Sequence, residues 1–164
     1  MRLVFLGVPG VGKGTQAEMV SAKYGVPKIS TGDLLRAAVT QQTSLGKEAK
    51  QYMDRGDLVP DKVVIGLVEE KIATSECGKG FILDGFPRTV LQADSLAGLL
   101  ARTGLPLDRV IYFVIAKEDV INRLSGRRSC SRCPAVYHLE FVPPKKEGIC
   151  DECGGELIQR SDDR

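Results

Sequence analysis

The chain has 164 residues, of which 43% are hydrophobic and 27% are charged. This length and composition are typical of one globular domain with a small insert, and they supply enough apolar side chains for a core. The 23 Lys and Arg residues against 21 Asp and Glu leave a net charge of +2. A general nucleic-acid or membrane-surface binder carries a larger basic excess, so neither partner is expected.

No targeting or membrane-spanning segment is expected from the apolar runs. The first run ends at Gly7, and the longest, residues 110–116, has the length of a strand and not of a membrane span. We therefore expect a cytoplasmic protein, in which the five cysteines do not form disulfides.

Hydrophobic periodicity predicts strands alternating with helices before residue 126. The predicted strands are 2–6, 28–30, 81–83 and 110–115, and the predicted helices are 13–24, 31–40, 45–54, 61–74, 90–101 and 118–124. Asp61 is expected to cap the helix that it begins. This alternation predicts an α/β fold with a parallel β-sheet flanked by helices. From Arg127, cysteines, glycines and prolines replace the helical pattern, which predicts a separate small module.

Residues 7–15 read GVPGVGKGT and lie between a predicted strand and a predicted helix, the context that a phosphate-binding P-loop needs. The glycines allow backbone N–H groups to point at an anion, and the helix N-terminus favours negative charge. Lys13 is expected to reach the β- and γ-phosphates of a nucleotide, and Thr15 to help hold Mg²⁺. A glycine-rich turn without a ligand is the alternative interpretation.

Two further segments, residues 30–36 and residues 84–92, suggest a second nucleotide. Arg36 and Arg88 offer planar guanidinium groups for a phosphate, and Gln92 has the amide donor and acceptor that an adenine edge requires. Asp84 ends a predicted strand and is suited to order Mg²⁺ through water. The alternatives are that Thr31 is only a helix cap and that Arg88 is only a surface charge.

Transfer of a phosphoryl group to another phosphate needs no general base, because the nucleophile is already an anion. Catalysis then depends on positioning and on positive charge around the transferred group. The chain supplies suitable cations, namely Lys13, Arg36, Arg88, Arg123, Arg127 and Arg160. Arg128 is interpreted as a solvated charge.

Cys130-x2-Cys133 and Cys150-x2-Cys153 are separated by sixteen residues, a spacing typical of zinc sites. Four thiolates leave no open coordination position, so the metal is expected to be structural. Iron and cobalt also bind such sets, although zinc is favoured. Cys77 is expected to be an ordinary buried thiol, and His138 a residue of the module that is neither a ligand nor a base.

Together these motifs resemble the adenylate kinases, of the type whose lid carries zinc, over essentially the whole chain. The resemblance implies reversible phosphoryl transfer from MgATP to AMP giving ADP, by a monomer that acts on these small nucleotides with Mg²⁺ and structural Zn²⁺. It implies an ATP site at Gly10, Val11, Gly12, Lys13, Gly14, Thr15, Arg127, Val136 and Tyr137. It implies an AMP site at Thr31, Arg36, Asp57, Leu58, Val59, Gly85, Phe86, Pro87, Arg88, Gln92 and Arg160, with catalytic roles for Lys13, Asp84, Arg88, Arg123, Arg127 and Arg160.

The same resemblance implies a P-loop core at residues 1–29 and 60–125, a helical AMP-binding segment at 30–59 and a zinc-binding lid at 126–163 that excludes water. Members of the family continue for several tens of residues beyond residue 164. We therefore expect the last strand and helix of the family fold to be missing and this chain alone to be impaired.

Three other functions compete with this interpretation. A sister kinase acting on UMP or CMP shares the motifs, although Thr31 favours adenine by resemblance. A zinc ribbon binding nucleic acid would need interleaved basic and aromatic residues, whereas acidic residues accompany the few lysines between the cysteine pairs. A P-loop switch protein has no evident use for the segment Asp84–Arg88.

Overall fold

The computed structural model describes residues 1–55, 57–160 and 163. These residues form two compact units. The first contains Met1–Gly7 and Gly12–Phe113, and the second contains Val8–Val11 and Val114–Arg164. The predicted AMP-binding segment includes Gly56 and the predicted lid includes Ser161 and Asp162, all three of which lie outside the described residues.

Strands and helices alternate through the first unit, as the periodicity predicts. The elements are β1 (Arg2–Leu6), α1 (Lys13–Tyr24), β2 (Lys28–Ser30), α2 (Thr31–Thr40), α3 (Ser44–Met53), α4 (Asp61–Ile72), a 3₁₀ turn (Ser75–Cys77), β3 (Phe81–Asp84), α5 (Val90–Thr103) and β4 (Arg109–Tyr112). The four strands form one sheet in the order β2-β3-β1-β4, and every neighbouring pair is parallel. The predicted α/β fold with a parallel sheet is confirmed.

The centre of the sheet is buried on both faces, which explains the continuous apolar runs of β1 and β3. Val4 and Leu83 belong to a core cluster that also contains residues of α4 and α5. Leu3, Phe5 and Ile82 belong to a second cluster, which includes Ala17 of α1. Because side chains alternate along a strand, each central strand contributes to both layers of helices.

Some predicted boundaries are wrong, for local reasons. The strand predicted at 110–115 is β4, and its pairing with β1 ends where Tyr112 lies opposite Leu6, because β1 itself ends there. The helix predicted at 61–74 ends at Ile72. Asp61 is the first residue of that helix and not its cap, since Pro60 occupies the cap position.

The second unit contains α6 (Lys117–Gly126) and three short strands, β5 (Arg127–Cys130), β6 (Val136–His138) and β7 (Leu157–Ile158). The strands form an antiparallel sheet in the order β6-β5-β7. The sequence predicted a cysteine-rich module here but not this sheet. No helix among the described residues of either unit is both long and apolar enough to cross a membrane.

The C-terminal end of α6 is closed by donors from the module. The last carbonyls of a helix have no partner within it. Here the Arg128 guanidinium donates to the carbonyl of Ser125 at 3.1 Å, and the N–H of Leu139 donates to that of Gly126 at 3.0 Å. Arg128 is half-buried and also donates to its neighbour's carbonyl, so besides carrying a charge it closes the end of α6.

Candidate functional site

The glycine-rich loop after β1 has the backbone that its sequence predicts. Gly7, Gly10 and Gly12 all have positive φ angles, of 140°, 78° and 102°, which a residue with a side chain adopts at a cost. Lys13 begins α1, and its ammonium donates to the carbonyl of Gly7 at 2.8 Å. No side chain caps α1, so its first N–H groups are suited to an anion.

Asp84 lies at the C-terminal end of β3, where it pairs in register with Phe5 of β1. Burial raises the pKa of its carboxyl, and the nearby ammonium of Lys13 opposes that rise. A Cβ atom on Gly14 would lie 3.4 Å from Asp84 Oδ2, so the carboxylate lies beside the first turn of α1. The fold therefore brings Lys13, Gly14 and Asp84 together at the first turn of α1.

The carbonyl of Gly85 joins two of the predicted AMP-binding residues. Arg88 Nε donates to it at 2.7 Å, and the buried hydroxyl of Thr31 donates to it at 3.4 Å. Thr31 is not the cap of α2, because Ser30 holds that position and accepts from the N–H of Asp33. The interpretation of Thr31 as only a helix cap is thereby excluded.

Arg36 is held by an exposed ion pair with Asp33, whose oxygen lies 2.5 Å from its Nη2. Burial acts to raise the pKa of Asp33, but the hydrogen bond and charge of Arg36, together with the Ser30 hydrogen bond and the charge of Lys28, lower the pKa overall. The Asp33 carboxylate thus holds the Arg36 guanidinium near the start of α2. A phosphate can replace that carboxylate as the partner of the guanidinium.

Gln92 is buried, with 4% of its surface exposed, and both ends of its amide are bound. Its Oε1 accepts from the N–H of Arg88 at 2.8 Å, and its Nε2 donates to Asp61 at 2.6 Å. The hydroxyl of Thr89 donates to the other oxygen of Asp61 at 2.7 Å. Each end of the amide keeps one unused hydrogen-bonding position, an acceptor at Oε1 and a donor at Nε2.

Sequence reasoning missed Asp61 and Thr89 as partners of Gln92. The signal for Thr89 was present, because Thr-x-x-Gln before an apolar run is a capping-box pattern, and Thr89 does cap α5 by accepting from the N–H of Gln92. No local pattern links Asp61 to Gln92.

The predicted contacts at residues 57–59 lie in an irregular segment between α3 and α4. Within the first unit the side chain of Leu58 is 92% exposed, whereas Val59 packs against the core. Asp57 forms an ion pair with Arg55 at 3.0 Å. The segment between Gly85 and Arg88 contains the buried Phe86 and a cis peptide bond to Pro87.

In the second unit, α6 packs against residues 8–11 of the loop. Arg123 donates to the carbonyl of Val11 at 3.3 Å. A Cβ atom on Gly10 would lie 2.8 Å from a side-chain atom of Leu124, so only glycine fits there without a shift. This packing places Arg123 beside residues 8–11 of the loop.

Two more predicted arginines lie on the module. Arg127 forms a two-pronged ion pair with Asp163, in which its Nε lies 2.7 Å from Oδ2. The Asp163 side chain is fully buried and that of Arg127 is 20% exposed. Arg160 donates to the hydroxyl of Ser129 at 2.9 Å. Sequence reasoning missed Asp163 as the carboxylate that orients Arg127.

The four cysteines of the module converge, with sulfur atoms within 4.8 Å of one another. Cys130 and Cys153 sulfurs are 3.4 Å apart, and those of Cys133 and Cys150 are 3.5 Å apart. Tetrahedral zinc at about 2.3 Å from each sulfur would separate the sulfurs by about 3.8 Å. The cluster therefore fits a four-coordinate metal, and no disulfide links the cysteines.

Tyr137 and His138 lie beside this cluster and not in it. A hydrogen bond from the Tyr137 hydroxyl lowers the pKa of Cys150 to about 6. The His138 ring stacks on Phe141 at 4.3 Å between centroids, and its Nδ1 accepts from the N–H groups of Glu140 and Phe141 at 3.1 Å. Val136, the other predicted ATP contact on β6, is 50% exposed.

Comparison with known proteins places this chain beside one family. The family model described as adenylate kinase matches residues 5–163. The chain is 57% identical to an adenylate kinase of Archaeoglobus fulgidus and 58% identical to one of Thermodesulfovibrio yellowstonii, over all 164 residues in each case. It is 56% identical over 163 residues to one of Geobacillus. It covers 76% of the length of each of these relatives.

Proposed function

The chain belongs to the adenylate kinase family, a family of phosphotransferases, and we propose that it reversibly transfers the terminal phosphoryl group of MgATP to AMP, giving ADP. One observation supports this most strongly. The first unit gathers Lys13 and Asp84 at the P-loop, and it orders Thr31 and Arg88 on the carbonyl of Gly85, the residue that follows Asp84.

ATP would be held by the loop and by the start of α1. Lys13 would exchange the carbonyl of Gly7 for the β- and γ-phosphates, and the uncapped N–H groups of α1 would bind phosphate oxygens. Mg²⁺, when bound, offsets the charge on these phosphates. Thr15 would supply a hydroxyl to it and Asp84 an oxygen acceptor through water. The remaining proposed ATP residues are Gly10, Val11, Gly12, Gly14, Arg127, Val136 and Tyr137.

AMP would bind between the start of α2 and the segment after β3. Its phosphate would replace Asp33 on Arg36 and would contact the Nη groups of Arg88, whose Nε remains on Gly85. Gln92 would pair with adenine, because its free acceptor and free donor suit the N6 amino group and N1 of that base. The remaining proposed AMP residues are Thr31, Asp57, Leu58, Val59, Gly85, Phe86, Pro87 and Arg160.

The second unit would supply charge and exclude water. Arg123, Arg127 and Arg160 would stabilise negative charge on the transferred group. Zn²⁺ would hold the module as a structural ion on Cys130, Cys133, Cys150 and Cys153. We also propose a core at residues 1–29 and 60–125, an AMP-binding segment at residues 30–59 and a lid at residues 126–163, as the resemblance implies.

Phosphorus NMR tests the reaction and its acceptor. The chain is mixed with MgATP and with AMP, UMP or CMP in separate samples. Phosphoryl transfer, seen as formation of ADP, is expected only in the sample that contains AMP. Formation of UDP or CDP at a comparable rate would overturn the adenine assignment. Because this chain alone is expected to be impaired, the absence of product from all three acceptors would be followed by the same assay on a chain extended to the length of its relatives. The absence of product from that longer chain would overturn the proposal.

A charge-removing variant tests the role of the loop. Lys13→Met is expected to reduce turnover by at least about a hundredfold, since a charge contact to the transferred phosphate is lost. Lys62→Met, at an exposed position on α4, is the matched control and should retain activity. Retained activity in Lys13→Met would contradict the proposed ATP site.

A further inference from the structure

Tyr137 occupies an unusual position for a polar side chain in so small a module. It lies in the middle of β6 and is only 8% exposed. Its neighbours are Cys150 and Leu157, with which it forms the buried cluster of the module. The phenolic oxygen lies 3.5 Å from the sulfur of Cys150. The ring therefore packs beside the cysteine cluster with its hydroxyl directed at one sulfur.

The direction of the hydroxyl proton follows from a second contact. The backbone N–H of Asp151 donates to the Tyr137 oxygen at 2.8 Å. A backbone N–H can only donate, so the oxygen is the acceptor in that bond and keeps its own hydrogen for another partner. The sulfur of Cys150 is that partner, since a metal-bound thiolate is an acceptor.

A donor to sulfur has a clear use in such a cluster. Four thiolates around a divalent cation carry a net charge of −2, which hydrogen bonds to the sulfurs stabilise. Main-chain N–H groups serve the other sulfurs, as when Arg132 donates to Cys130 at 3.3 Å. Cys150 receives a side-chain donor in addition, and that donor is itself oriented by the adjacent residue of the same knuckle.

We propose that Tyr137 is a positioning residue of the metal site, whose hydroxyl is fixed by the N–H of Asp151 and donates to Cys150 so as to orient that thiolate for Zn²⁺. Loss of a partner of this kind commonly weakens metal binding about ten- to a hundredfold. The inference rests on the proposed zinc site, and metal binding is its readout because Tyr137 is also a proposed ATP residue.

Zinc affinity provides the first test. Tyr137→Phe keeps the ring and removes only the hydroxyl, so zinc should bind about tenfold more weakly in competition with a chromophoric chelator. Tyr112→Phe makes the same change at a side chain that is 68% exposed, and zinc affinity should stay at the wild-type value. Unchanged affinity in Tyr137→Phe would overturn the proposal.

Cobalt(II) spectroscopy separates this role from simple packing. A hydrogen bond lowers the energy of the sulfur lone pairs, so its loss should move the sulfur-to-cobalt charge-transfer band of Tyr137→Phe to lower energy. Loss of packing alone would reduce stability and leave that band in place. An unshifted band in the folded variant would therefore also overturn the proposal, whatever the change in stability.

A fluorinated tyrosine provides a second test that does not depend on the folding of Tyr137→Phe. If Tyr137→Phe does not fold, the wild-type chain is prepared with 3-fluorotyrosine, a more acidic phenol and stronger donor. The cobalt band should then move to higher energy, and an unmoved band would overturn the proposal. A wild-type chain that binds neither zinc nor cobalt would overturn the zinc site itself, which distinguishes that failure from an error about Tyr137.

Discussion

The ionised carboxylate of Asp84 is less favourable in the folded chain than in the unfolded chain. Burial raises the pKa of its carboxyl more than the ammonium groups of Lys13 and Lys28 lower it. The folded state thus binds the Asp84 proton more tightly than the unfolded state does. Stability from this group is present at low pH and is lost as pH rises through the raised pKa of the folded state.

We therefore predict that Asp84→Asn is more stable than the wild-type chain at pH 7, although it should lose kinase activity. The difference should shrink as pH falls below the ordinary aspartate pKa, because Asp84 is then protonated in both states. Urea unfolding at pH 7 and at about pH 3.5 measures this. Asp94→Asn, at an exposed position on α5, is the control, and a variant that is less stable at pH 7 would contradict the prediction.

Gly126 is the last residue of α6 and leaves no room for a side chain. A Cβ atom there would lie 2.3 Å from Nε2 of His138, and the His138 ring is held by its stacking on Phe141 and by two backbone donors. Gly126→Ala should therefore cost about 2 kcal/mol of unfolding free energy, as overpacking typically does.

Chemical denaturation of Gly126→Ala and Gly98→Ala compares two helical glycines. A Cβ atom on Gly98 would meet only the flexible end of Arg102, at 3.4 Å, so its replacement should stabilise α5 by up to about 1 kcal/mol. Equal stabilities of the two variants would contradict this prediction, because they would show that the His138 ring moves away from the new Cβ atom at no cost in stability.

At the scale of elements, α2 and α3 approach each other through Gly46. A Cβ atom on Gly46 would lie 2.0 Å from the carbonyl oxygen of Ala38. That neighbour is backbone and cannot rotate away, so the two helices must separate. Gly46→Ala is expected to cost about 3 kcal/mol or more and to disturb the helical segment that carries Arg36.

The control for this contact is Gly66→Ala on α4. Its Cβ atom would meet a side-chain carbon of Leu45 at 3.1 Å, which can yield by a change of rotamer. Thermal unfolding should place Gly66→Ala near the wild-type chain and Gly46→Ala well below it. A Gly46→Ala variant with wild-type stability would mean that α2 and α3 are packed less closely.

The elements were predicted well where a local pattern defines them. The phosphate loop and α1 follow from a glycine-rich stretch between a strand and a helix, and β1 and β3 follow from short apolar runs. Their ends were harder to predict. β4 stops at Tyr112 because its partner β1 stops at Leu6, and a partner cannot be read from the apolar run 110–116 alone.

At the scale of the whole molecule, the thiols report on the two units separately. With zinc bound, the four cysteines of the second unit should react slowly with a thiol reagent. A chelator should then expose four rapidly reacting thiols of the five in the chain. Cys77 should stay slow, because it lies in the core of the first unit with 0% exposure and burial raises its pKa.

Counting thiols with a chromogenic disulfide before and after chelation tests this expectation. A Cys77→Ser control should leave the number of rapidly reacting thiols unchanged and lower the total in denaturant by one. Rapid reaction of all the thiols after chelation would show that loss of the metal opens the first unit as well, contrary to the prediction.

The sequence by itself determined the parallel α/β fold, the phosphate loop and the cysteine cluster, because each is encoded by neighbouring residues or by spacing within a short motif. Only the tertiary structure decided which partners orient the candidate site residues. Gln92 meets Asp61 across 31 positions, and Arg127 meets Asp163 across 36. The proton of Tyr137 is directed by Asp151, 14 positions away. Such pairs depend on how helices and strands pack, and no periodicity of the chain records that packing.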